Sequence, residues 1–150
     1  HVNFLKSLLL FSLALSTLFL SSCATTVDAF YKADADNYEV KNIYFVAHSN
    51  PLSDMDEAIR KDLLKRKLNV VVGPDTNKIS DADAIVKYTE TWNKEVASSL
   101  TTLDVMLFNK NGELLASSHW KNSKFSTLAT LAYIVNDTVE IIFEKVQIKP

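Results

Sequence analysis

The chain has 150 residues, with 16 basic and 18 acidic side chains, a net charge of −2 and 47% hydrophobic residues. Charges of both signs are interspersed, so no basic field recruits nucleic acid, and two glycines rule out glycine-rich phosphate loops. One cysteine and three histidines give no disulfide framework, and no His, Cys or acidic residues recur at metal-ligand spacing, so no metal or cofactor is expected.

At the start of the chain, Lys6 precedes an uncharged run, SLLLFSLALSTLFL, from Ser7 to Leu20. A short basic start, an apolar segment and small residues before a cut site predict a secretory signal peptide over residues 1–22. The run is shorter than the ~20 apolar residues that span a bilayer, and the next charge is the acidic Asp28 rather than a basic stop-transfer flank. His1 is an unusual first residue; one explanation is a start codon translated literally as Val2, with His1 left from upstream. Leu20-Ser21-Ser22-Cys23 resembles the lipobox of bacterial lipoproteins. That resemblance implies that Cys23 is lipidated and becomes the first mature residue. Ala24, where an Asp would favour retention in the inner membrane, implies the periplasmic face of a Gram-negative outer membrane. About 128 residues then remain, the size of one ordinary domain.

Residues 23–37 are small and polar apart from Val27, Phe30 and Tyr31, and are expected to form a lipidated tether, with Phe30 and Tyr31 docking on the domain. A single periplasmic domain is expected over residues 38–150. Tyr38 to Val46, rich in β-branched and aromatic residues, reads as the first strand. Ser53, with Asp56 three residues on, forms a capping box for a helix from Asp54 to about Lys67. Acids fill its first turn and Lys65, Arg66 and Lys67 its last, as the helix dipole favours. Asp56–Arg60 and Glu57–Lys61 are expected ion pairs, and Met55, Ile59, Leu63 and Leu64 the buried stripe.

Asn69 to Val72 is a short strand ended by Gly73-Pro74. Three strands follow at Ala84–Trp92, Leu100–Phe108 and Glu113–Trp120. Asn111-Gly112 closes a hairpin between the last two, and the three make an antiparallel meander. Leu128, Leu131, Val135, Val139 and Ile142 recur at helical spacing, predicting a final helix from Ser126 or Thr127 to about Lys145. The order β-α-β-β-β-β-α predicts an α+β two-layer sandwich: a mainly antiparallel sheet with two helices on one face.

No residue set marks a catalytic centre. His48 lies in a loop near Ser49, Asp54 and Asp56, and His119 lies in a strand beside Ser117 and Ser118, without the context of a nucleophile elbow. Asp81 and Asp83 serve to keep their loop in solvent. Lys65-Arg66-Lys67 reads as a solvated helix end rather than an anion site, and Asn136-Asp137-Thr138 is a glycosylation triplet inside a helix. Trp92 and Trp120 both end strands beside polar loops. Exposed, they would give an aromatic rim suited to binding; otherwise they edge the core.

The lipobox, the tether and the stretch DADAIVKYTETW followed by LTTLDVMLFNKNGELLASS resemble small αβ-sandwich lipoproteins of Gram-negative outer membranes. The lipoprotein of the lipopolysaccharide-transport complex and related uncharacterised families share this layout. The resemblance implies a non-enzymatic accessory lipoprotein, held to the membrane through lipid on Cys23 and binding a protein partner or envelope component. The alternative is a small-ligand or glycan-binding module using Trp92 and Trp120.

Overall fold

A computed structural model describes residues 26–76, 81–95, 99–122 and 130–150, with Asn3 in addition. The signal segment, Cys23 and the expected helix start at Ser126 or Thr127 lie outside the described residues.

The strands are β1 (Thr26–Tyr31), β2 (Glu39–Val40), β3 (Asn42–Val46), β4 (Asn69–Gly73), β5 (Ala84–Asn93), β6 (Ser99–Asn109), β7 (Leu114–Lys121) and β8 (Gln147–Ile148). The helices are α1 (Asp54–Lys65) and α2 (Leu131–Phe143). Six strands form one sheet in the order β1-β7-β6-β5-β3-β4, while β2 and β8 pair separately in parallel. The fold is the expected α+β sandwich. The β5-β6-β7 meander is antiparallel and is extended by β1, whereas β3 runs parallel to both β4 and β5. The β3–β4 ladder is parallel because α1 carries the chain back across the sheet between these two strands, as a crossover must.

Side-chain alternation divides the sheet. Ile43, Phe45, Val86, Tyr88, Leu103, Val105, Leu107 and Trp120 are buried on the face beneath the helices. Ile59 and Leu63 of α1 and Ile134, Val135, Val139 and Ile142 of α2 fill the other side of that core. Thr130 caps α2, its hydroxyl accepting from the Tyr133 N–H at 3.4 Å. The β6–β7 hairpin forms as expected: Gly112 takes φ 84°, and the Asn109 side chain accepts from the N–H groups of Asn111 and Glu113.

Several expectations need correction. From Thr26 onward the segment read as a tether is an edge strand, with Val27 opposite Trp120 and Tyr31 opposite Ala116. Period-2 alternation in TVDAFY is the signal, masked by its small polar residues. Tyr31 docks as expected, donating to the Ile141 carbonyl, but Phe30 is 53% exposed. The strand read as Tyr38–Val46 is broken at Lys41, and its first part pairs with β8. In α1, Leu64 is exposed rather than buried, and the ion pairs are Glu57–Arg60 and Asp62–Arg66. Arg66 is not solvated: it also donates to the Asn136 carbonyl at 3.1 Å, joining the two helices. Asp83 does more than hold a loop open, since its carboxylate accepts from the N–H groups of Lys41 and Asn42 at the start of β3.

Candidate functional site

The face of the sheet away from the helices has two contrasting halves. Register places Val71, Tyr44, Ile85 and Phe108 side by side across β4, β3, β5 and β6. Val71 is 64% exposed and the other three are half-buried. Lys87, on the same face, sits 5.6 Å above the Phe108 ring and pairs with Asp75. Nearer the other end, Asp28, His119, Asp104 and Thr89 form a polar row across β1, β7, β6 and β5. Within it, His119 Nδ1 and Asp104 Oδ1 are 2.6 Å apart. Ser118 points into the core, so it cannot join His119 on the open face. An antiparallel sheet with one solvated face normally alternates apolar inward with polar outward. Here the outward positions of β3, β4 and the start of β5 depart from that pattern.

At the carboxyl ends of the parallel strands β3 and β4 lies a crevice of ≈ 480 Å³ lined by Ala47, His48, Leu52, Val72, Gly73 and Pro74. Its wall, the loop between β3 and α1, is fixed by Asp56. The Asp56 carboxylate is buried and accepts from the N–H groups of His48 and Ser53, and from the Tyr88 phenol at 2.6 Å. Ser53 returns the bond to the Asp56 N–H, completing the capping box read from the sequence. Burial alone would raise the carboxyl pKa of Asp56, but the hydrogen bonds from Tyr88, His48 and Ser53 outweigh it. The group is held well below the usual carboxylate range. Burial, reinforced by the bond to Asp56, pushes the Tyr88 phenol far upward.

The structure brings His48, Ser49 and Asp56 together but not as a relay. Ser49 Oγ bonds Asp56 directly at 3.2 Å, while His48 Nε2 lies 2.8 Å from the Tyr88 carbonyl. The His48 ring stacks on the Tyr88 ring with centroids 3.8 Å apart. These contacts anchor the loop, and among the described residues no serine hydroxyl is hydrogen-bonded to an imidazole. Among the described residues no three His, Cys, Asp or Glu side chains are grouped to hold a metal ion. Gly73 is required by close approach: a Cβ there would lie 2.2 Å from the Tyr44 hydroxyl, which donates to the Pro74 carbonyl.

The two tryptophans do not make a shared rim. Trp120 is 2% exposed and belongs to the core, while Trp92, beyond the bulge at Thr91/Trp92, is 38% exposed. Sequence reasoning missed the apolar row because its members lie on four separate strands and meet only through register. It also missed the link from Asp56 to Tyr88, though the capping box marked Asp56.

The features define a non-repeating α+β sandwich with one helix-covered and one open sheet face. Two solved structures with this fold are dodecamers of PelC from Paraburkholderia phytofirmans, one of them a point variant. They match at 13% and 12% identity with TM-scores of 0.54, covering 85% of this chain and 100% of theirs. At that identity the likeness is one of fold. No protein-family model and no curated protein sequence matches the chain.

Proposed function

We propose that this chain is a non-enzymatic accessory lipoprotein, anchored through lipid on Cys23 to the periplasmic face of the outer membrane and working as a subunit of an envelope assembly. The observation that carries the reading is the row Val71–Tyr44–Ile85–Phe108, apolar side chains set side by side on a face that no described helix covers. Val71 is exposed and its three neighbours are half-buried, and adjoining apolar side chains left partly open to solvent on a small domain favour an interaction site. The fold neighbours named above are dodecamers, which accords with a subunit role. Among the described residues no helix is long and apolar enough to cross a membrane. The membrane contact is assigned to the lipid on Cys23, each buried methylene of which contributes about 0.8 kcal/mol.

A photo-crosslinking residue at Phe108 tests the binding face, with Thr102 at the polar end as control. The expected result is a protein adduct from position 108 in intact envelopes and none from 102. Equal labelling at both, or none at either, overturns the reading. Fractionation tests the anchor: Cys23→Ala protein that remains in the membrane pellet after signal cleavage would show a second attachment. The glycan-binding alternative now rests on Trp92 alone, since Trp120 is buried.

A further inference from the structure

Among the described residues both edges of the six-stranded sheet are open, β1 pairing only with β7 and β4 only with β3. An open edge presents a row of unpaired backbone donors and acceptors, and proteins usually blunt it with lysine, proline or a very short strand. None of the three is used within these strands: β1 reads TVDAFY, with Asp28 its one charge, and β4 reads NVVVG. Each edge instead displays an apolar side chain on the helix-free face. Phe30 on β1 and Val71 on β4 are two of the five large hydrophobic residues exposed among those described.

The two edges are complementary. Tracing directions through the ladders, β4 runs with β5, β6 against it, β7 with it and β1 against it. The β1 edge of one copy therefore meets the β4 edge of the next as an antiparallel partner while the sheet faces stay aligned. Setting Phe30 opposite Val71 places Tyr31 opposite Val70, Ala29 opposite Val72, Lys32 opposite Asn69 and Asp28 opposite Gly73. No like charges face each other, and an aromatic beside a β-branched residue is a favoured cross-strand pair. We propose that copies of this chain join head to tail through these two edges, with β1 of one copy extending the sheet of the next beside β4.

The contact uses different surfaces on the two copies, so it propagates into a ring or filament rather than stopping at a dimer. The proposal rests on the reading of the chain as a lipid-anchored subunit, and the anchor suits it. Two residues separate Cys23 from the start of β1. Copies related by rotation about one axis point all their Thr26 ends the same way, toward one membrane.

Cysteine trapping tests the proposal in envelopes carrying the full chain. Phe30→Cys with Val71→Cys in one chain should give, on oxidation, a ladder of disulfide-linked multimers on a non-reducing gel. Neither single variant should do so. In detergent, light scattering should find the unsubstituted protein several-fold heavier than the monomer, and Phe30→Lys or Val71→Lys should reduce it to the monomer with an unchanged thermal melt. A linked dimer from Phe30→Cys alone would mean symmetric β1–β1 pairing and overturn the proposal. So would a multimer by light scattering without the ladder, which puts the contact elsewhere. Absence of both, with the adduct at position 108 retained, rejects the edge contact and leaves the partner-binding reading standing; loss of that adduct as well rejects both.

Discussion

The phenol of Tyr88, in the middle of β5, donates a 2.6 Å hydrogen bond to the carboxylate of Asp56, in the first turn of α1. The bond spans the two layers and is buried. It converts a helix cap, a local device, into a tie between the loop at the end of β3 and the centre of the sheet.

Removing either partner should therefore cost more than a surface hydrogen bond. Tyr88→Phe deletes one bond to a charged group, worth about 1.5–3 kcal/mol. Asp56→Ala also strands the buried Tyr88 phenol and the N–H groups of Ser53 and His48, and is expected to cost about 3 kcal/mol or more. Urea titration checks the order; equal midpoints for the two variants would contradict it.

The same site gives the protein an acid limb. The folded-state pKa of Asp56 is depressed, so its contribution is present above the unfolded value of about 3.9 and is lost as pH falls through the folded value. Tyr88 is shifted upward, so its contribution is present below about pH 10 and is lost as pH rises through its folded value. Between these limits neither group adds a slope. Stability of the unsubstituted protein should fall on acidification below about pH 4, and Asp56→Asn, less stable at neutral pH, should fall less steeply there. Melting curves from pH 2.5 to 7 decide it; parallel slopes would remove Asp56 from the account.

How far the sequence spoke depended on the range of each interaction. The capping box at Ser53 and Asp56, the hairpin at Asn109–Gly112 and the apolar stripe at Met55, Ile59 and Leu63 are local patterns, and the structure contains all three. What escaped was carried by pairing between distant segments. Thr26–Tyr31 looks like a linker because its apolar residues are few, yet β7 supplies the ladder that makes it a strand. Arg66 reads as a dipole-favoured surface charge until Asn136, seventy positions later, is found beside it. The outward apolar row is visible only after four strands are placed in register.

Helix α1 offers a contrast between neighbouring residues. Leu63 is fully buried and Lys65 exposed, with Arg66 held by Asp62 at 2.7 Å and by Asn136. Leu63→Asp should leave the domain unfolded, since a buried unpaired carboxylate costs several kcal/mol of a margin of about 5–15. Arg66→Ala removes bonds to a nearly buried carboxylate and should cost about 1–3 kcal/mol. Lys65→Ala should change stability by less than about 0.5 kcal/mol. A thermal shift for Lys65→Ala as large as that for Arg66→Ala would mean that the helix faces are misassigned.

The two tryptophans should separate cleanly by the same logic. Trp120 lies on the core face of β7 between Leu103 of β6 and Val27 of β1. Truncating it to alanine opens a large void under the strand that holds β1 to the sheet, at a cost of about 3–5 kcal/mol. Trp92, 38% exposed past the bulge in β5, has much less packing to lose, and Trp92→Ala should cost under about 1 kcal/mol. Fluorescence gives a second readout that does not depend on unfolding. Trp92→Phe leaves Trp120 as the emitter, which should emit in the blue and resist quenching by acrylamide. Trp120→Phe leaves Trp92, which should emit further to the red and be quenched readily. If oligosaccharides alter the emission of the Trp120→Phe protein at micromolar concentration, the glycan-binding alternative gains its one surviving residue. If they leave it unchanged while the photo-crosslinker at Phe108 captures protein, Trp92 has no part in binding and the open sheet face is where the chain meets its partner.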